Sequence, residues 1–157
     1  MMLRTIHAAG LALAAMITVQ AAPALAAGDD VFTVTTDVPF ADAAQAVNDA
    51  IVNKGYKVDY HGYVGEMLKR TAEDVGAEKS HYEDAEIFTF CSAVLSRKAM
   101  EAEIGDIAYC PYVVFVYEEA ANPGTVTIGH RKLPEGGARD EINAVLDEIV
   151  TTASDGF

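Results

Sequence analysis

The sequence predicts a single α+β domain, with a mixed or largely antiparallel sheet and helices packed on one face. Three observations predict it. Segments of period 2 and period 3.6 alternate along the chain in the order β-α-β-α-β-α-β-β-α. Several strands alternate apolar and polar residues, so one sheet face should meet helices and the other should not. Asn122-Pro123-Gly124 carries the turn chemistry that folds the last two strands into a hairpin.

Each element has its own warrant. Val31 to Thr36 alternates β-branched and aromatic residues, as a strand does. Phe40, Ala44, Val47 and Ile51 recur at helical spacing, with Pro39 where a first turn tolerates it and Gly55 as the stop. Tyr56, Val58 and Tyr60 then face one way along a strand, while Lys57, Asp59 and His61 face the other. Val64, Met67, Leu68, Thr71 and Val75 make a second amphipathic helix, which Gly76 ends. Ala77 to Glu86 is polar and reads as a loop, and Ile87 to Cys91 reads as a strand. Ser92 is placed to cap the helix that follows, which turns Leu95, Ala99 and Met100 inward and stops at Gly105.

Tyr109 to Tyr117 is the most β-prone stretch, nearly all aromatic residues and Val. It is apolar on both parities, which suits a central strand or a subunit interface. Thr125 to His130 is its hairpin partner. The last helix carries Ala138, Ile142, Val145, Leu146, Ile149 and Val150 on one stripe, with Asp140, Glu141, Asp147 and Glu148 outward.

Residues 1–26 have the pattern of an export signal. Arg4 supplies the positive start, Ala8 to Val19 the apolar run, and Pro23-Ala24-Leu25-Ala26 a small-residue cleavage site. Residues 27–157 then form the single exported domain, and the expected location is the periplasm. The formal charge is −13, and losing Arg4 with no acid takes it near −14. That balance excludes nucleic acid as a partner, since phosphate binding needs clustered Lys and Arg. It equally disfavours anionic lipid, and no second apolar run is long enough for a span. In an exported chain, two cysteines point to one disulfide more readily than to two lasting thiols.

Three segments resemble the domain of unknown function 302 family: the opening strand and helix ending in Lys54-Gly55-Tyr56-Lys57-Val58, then Phe90-Cys91-Ser92-Ala93, then Tyr109-Cys110-Pro111-Tyr112-Val113-Val114 before a hairpin and a last helix. The resemblance implies an α+β domain with a split β-α-β type sheet and a tendency to homodimerise. It implies no established activity. Other members have Leu-Pro-Cys at the second cysteine and Asn-Pro after the first, where this chain has Tyr109-Cys110-Pro111 and Ser92-Ala93.

Chemistry, if there is any, centres on the cysteines. Cys91 comes just before a helix start, where free backbone N–H groups stabilise a thiolate. Cys110 precedes Pro111, which holds it extended. A whole helix separates them, so neither a C-x-x-C nor a zinc spacing is present. If their strands run antiparallel, both sulfurs fall at one edge; parallel strands would hold them beyond the roughly 7 Å that a disulfide allows between Cα atoms.

Placing Tyr117 against Thr125 across the hairpin puts His130 opposite Tyr112, on the face of Cys110. Cys110, Tyr112 and His130 are therefore ligand-binding candidates, Cys91 and Cys110 are redox or disulfide candidates, and Cys110 with His130 is a weak metal or haem candidate. The plain readings stand beside these. Cys110 suits a structural disulfide or a small buried hydrophobe, and His130 suits a strand-end residue partnered by an acid. His61 reads as solvated, and His81 lies in a polar loop. No nucleophile elbow, phosphate loop or paired-carboxylate site is present, so no catalytic residue is named. The expected function is an exported binding or accessory domain with no cofactor and a site near the Cys110 strand edge; the runner-up is a thiol-based redox or sulfur-handling protein.

Overall fold

A five-stranded antiparallel sheet in the order β1-β5-β4-β3-β2 organises the molecule. The coordinates are a computed structural model and describe residues 30–156; the expected leader, residues 1–26, lies outside them. The elements are β1 (Val31–Thr36), α1 (Phe40–Asn53), β2 (Tyr60–Gly62), α2 (Val64–Thr71), β3 (Tyr82–Phe90), α3 (Ala93–Ala102), a 3₁₀ helix (Ile104–Tyr109), β4 (Tyr112–Glu119), β5 (Val126–Arg131) and α4 (Ala138–Asp155). The expected order and class are present, and β4 is the central strand.

The two sheet faces differ as period 2 requires. Phe88, Phe90, Val114, Val116, Ile128 and His130 point to one side and are buried there. Val47 and Ile51 of α1, and Ile142, Leu146 and Ile149 of α4, belong to the same buried core. Burying such side chains is worth about 1.5–3 kcal/mol each, which is why these two helices hold the layer together. Gly55, at φ 84°, takes the left-handed turn that ends α1, as its position predicts.

Four local expectations need correction. The second strand is Tyr60–Gly62 rather than Tyr56 to His61, because β3 ends at Phe90 and residues before Asp59 run past it. Tyr56 instead stacks on Phe90 at 5.1 Å. The polar stretch before Ile87 is partly strand, since β3 begins at Tyr82 and pairs with β4 along its length. Its acids are answered by neighbours: Asp84 by Lys69 at 3.6 Å and Glu86 by His61 at 2.6 Å. Tyr109, expected to open the fourth strand, instead closes the 3₁₀ helix Ile104–Tyr109, so β4 begins at Tyr112; Gly105, the expected stop of α3, lies inside that 3₁₀ helix, and α3 ends at Ala102. Finally, α2 stops at Thr71, and its apolar residues Met67 and Leu68 stay exposed. Gly65 lets this helix lie on β3: a Cβ there would sit 2.7 Å from the backbone N of Ala85.

Candidate functional site

Antiparallel pairing of β3 and β4 decides the fate of the cysteines. Phe90 faces Tyr112 at the last rung, so the chain leaving β3 and the chain entering β4 meet at one end. Cys91 and Cys110 are bonded there, with Cα atoms 6.1 Å apart, and both are partly exposed. Ser92 then caps α3, its Oγ accepting from the Leu95 backbone N–H at 3.3 Å.

A buried polar group backs the disulfide. Ser96, one turn into α3, places its Oγ 2.8 Å from the Tyr112 hydroxyl and 3.8 Å from Cys110 Sγ. Both side chains are buried. Asp106, also buried, pairs with Arg139 at 3.3 Å, and the Arg139 guanidinium lies 6.0 Å from the centre of the Tyr109 ring. Burial pushes the Tyr112 hydroxyl above its ordinary value near 10; the Ser96 hydrogen bond opposes that rise, and negative charge at Tyr56 and Asp106 adds to it.

His130 does not join this group. The hairpin register sets His130 opposite Val114, two residues along from the expected Tyr112, so the face is the expected one but the neighbour is not. Its Nε2 lies 2.7 Å from Asp147 Oδ1 and its Nδ1 lies 3.1 Å from the Arg131 carbonyl oxygen. Asp147 therefore holds the imidazole rather than merely facing water. Cys110 uses its sulfur in the disulfide, and among the described residues no group of three His, Cys, Asp or Glu is placed to hold a metal ion.

The opposite sheet face carries side chains that the sequence did not single out. Ala85, Ile87, Phe115 and Tyr117 alternate outward from β3 and β4, and with Tyr82 and Val64 they line an apolar cleft of about 290 Å³. The cavity beside Tyr109, Pro111 and Tyr112 is only about 20 Å³. Gly129 has no Cβ where one would lie 2.7 Å from Phe115 Cζ, so the Phe115 ring can cover β5. The available signal was that Tyr109 to Tyr117 is apolar on both parities. His61 stays partly exposed, as expected, but it also stacks on Phe88 at 4.1 Å and pairs with Glu86 at 2.6 Å.

Fold and site together define a small α+β sheet domain with one helical layer, one open face and a disulfide across the end of β3 and β4. The chain belongs to the DUF302 family, whose model, described as a domain of unknown function, matches residues 32–153. A crystal structure of a conserved DUF302 protein from Bacillus stearothermophilus shares the fold with TM-score 0.61 at 18% identity, over 82% of this chain and 98% of that one. No curated protein matches the chain. Among the described residues, no helix is long and apolar enough to cross a membrane.

Proposed function

We propose that this protein is an exported binding or accessory domain that acts as a homodimer through the open face of its sheet. The observation that carries this reading is the distribution of charge. The chain has 24 Asp and Glu residues, yet the middle of the open face holds Thr33, Thr35, Ile87, Phe115, Tyr117 and Thr127. Charge enters that face only at its ends, with Arg131 at one and Glu119 at the other.

A face with opposite charges at opposite ends suits a two-fold partner. Two copies stacked with strands reversed would set Arg131 of each toward Glu119 of the other. Five strands spaced about 4.8 Å apart give a face roughly 24 Å wide. Stacking two such faces buries on the order of 1,200 Å², the lower end of stable specific interfaces. The N-terminal export pattern supports delivery to the periplasm, where an acidic, otherwise polar surface favours solubility.

Sedimentation of the mature protein at micromolar concentration tests the proposal, with Phe115→Glu as the comparison. The expected result is a dimer that the substitution converts to a folded monomer. A wild-type monomer, or a dimer indifferent to Phe115→Glu and Tyr117→Glu, would overturn it.

A further inference from the structure

We infer that the Cys91–Cys110 bond is an exchange disulfide that oxidises a pair of thiols carried on a polypeptide, with Cys91 as the sulfur attacked and Cys110 as the leaving thiolate. This goes beyond the homodimer and uses a different part of the molecule.

Direction comes from the hydrogen bonds behind Cys110. Ser96 is the one hydrogen-bond partner of the Tyr112 hydroxyl among the described residues. Tyr112 is buried, so its O–H donates to Ser96 Oγ. The Ser96 hydrogen is then free to point at Cys110 Sγ, 3.8 Å away. A thiolate formed there receives a ready donor, which strengthens as the charge develops. The start of α3 does not offset this at Cys91: the Leu95 N–H is taken by Ser92 Oγ, and among the described residues no hydrogen bond reaches Cys91 Sγ, whereas Ser96 reaches Cys110 Sγ. Exchange is faster when the departing sulfur is the better-stabilised thiolate, so attack at Cys91 is favoured.

The step balances without a further reactant. One substrate thiolate bonds to Cys91 Sγ as the Cys91–Cys110 bond breaks, and the electron pair leaves on Cys110 Sγ. The second substrate thiolate then attacks the first substrate sulfur. That forms the substrate disulfide and releases Cys91 as a thiolate. Two electrons pass to the protein, which ends with two thiols.

A polypeptide substrate is indicated by the surface between the cysteines. Val94, Ile104 and Ile107 are 76%, 80% and 63% exposed, and all three lie in the segment that the disulfide closes. Val94 is three residues after Cys91, and the Ile107 carbonyl accepts from the Cys110 backbone N–H at 3.3 Å. Large apolar side chains held in water beside an accessible disulfide suit an apolar peptide better than a small polar thiol.

The test mixes the oxidised mature protein with a reduced two-cysteine peptide flanked by Leu and Phe, and separately with reduced glutathione. Acid-quenched samples are read by mass. The folded wild type should oxidise the peptide faster than glutathione, and the trapped mixed disulfide should map to Cys91. Ser96→Ala should slow both reactions about tenfold, the loss of one charge-assisted hydrogen bond. Val94→Ser with Ile107→Ser, which removes apolar surface without adding charge, should slow the peptide reaction more than that with glutathione. The inference fails if neither thiol reacts with the folded protein, if the adduct maps to Cys110, or if Ser96→Ala exchanges at the wild-type rate. Sedimentation of the same variants as dimers keeps this outcome separate from that of the open face.

Discussion

His130 Nε2 lies 2.7 Å from Asp147 Oδ1, so a fully buried imidazole on β5 is tied to a carboxylate on α4. This pair docks the last helix on the sheet as well as satisfying a core polar group. Asp147→Ala leaves a ring nitrogen without its acceptor and should cost about 1–3 kcal/mol. Glu148→Ala breaks the surface pair with Lys54 and should cost under about 1 kcal/mol. Urea titration of the two variants checks the contrast; equal midpoints would contradict it.

The disulfide closes a loop with a sequence separation of 19. On the chain-entropy account, a loop of that size restrains the unfolded state by about 3 kcal/mol. Cys91→Ser with Cys110→Ser should therefore lower stability by roughly that amount. Thermal melts of the oxidised wild type and the double variant measure it, with little change in circular dichroism expected below the transitions because α1, α4 and the sheet form the core.

Tyr112 titrates above its unfolded value because burial disfavours its anion. Its contribution is fully present below about pH 10 and is lost as pH rises through the folded value. Stability should fall at up to about 1.4 kcal/mol per pH unit in that window from this group. Tyr112→Phe should flatten that part of the profile. Urea titrations from pH 9 to 11, paired with tyrosinate absorbance, would show it; identical slopes would count against the assignment.

Gly129 marks the tightest point of the open face. A Cβ there would lie 2.5 Å from the Phe32 carbonyl oxygen and 2.8 Å from Thr33 Cγ2. Because one neighbour is backbone, the sheet itself must shift. Gly129→Ala should destabilise by about 1–3 kcal/mol. Gly105→Ala, whose nearest neighbour is Glu103 Oε1 at 3.6 Å, should leave the denaturation midpoint near wild type.

Local pattern carried much of this fold. The order of elements, the Ser92 cap, the Gly55 stop and the buried stripe of α4 were all legible, because each depends on residues within one or two turns. Parity was legible too: His130 lies on the same face as Tyr112, as the alternation requires. Partners were not. The hairpin register is displaced by two residues from the expected one, a shift that preserves parity and so leaves no trace in the pattern. β3 extends back to Tyr82 because a neighbouring strand pairs with it, although Glu83, Asp84 and Glu86 look like loop residues.

The candidate site shows the same division. By itself the sequence determined that two cysteines flank a capped helix and that the strand after the second is apolar on both faces. Only the tertiary structure decided that the flanking strands run antiparallel, which brings Cys91 to Cys110, turns Ser96 and Tyr112 toward that bond, and leaves Phe115 and Tyr117 on an uncovered face. The reason is physical. A residue's periodicity reports the side it faces, whereas its partner is set by strand pairing and helix docking between segments far apart in the chain.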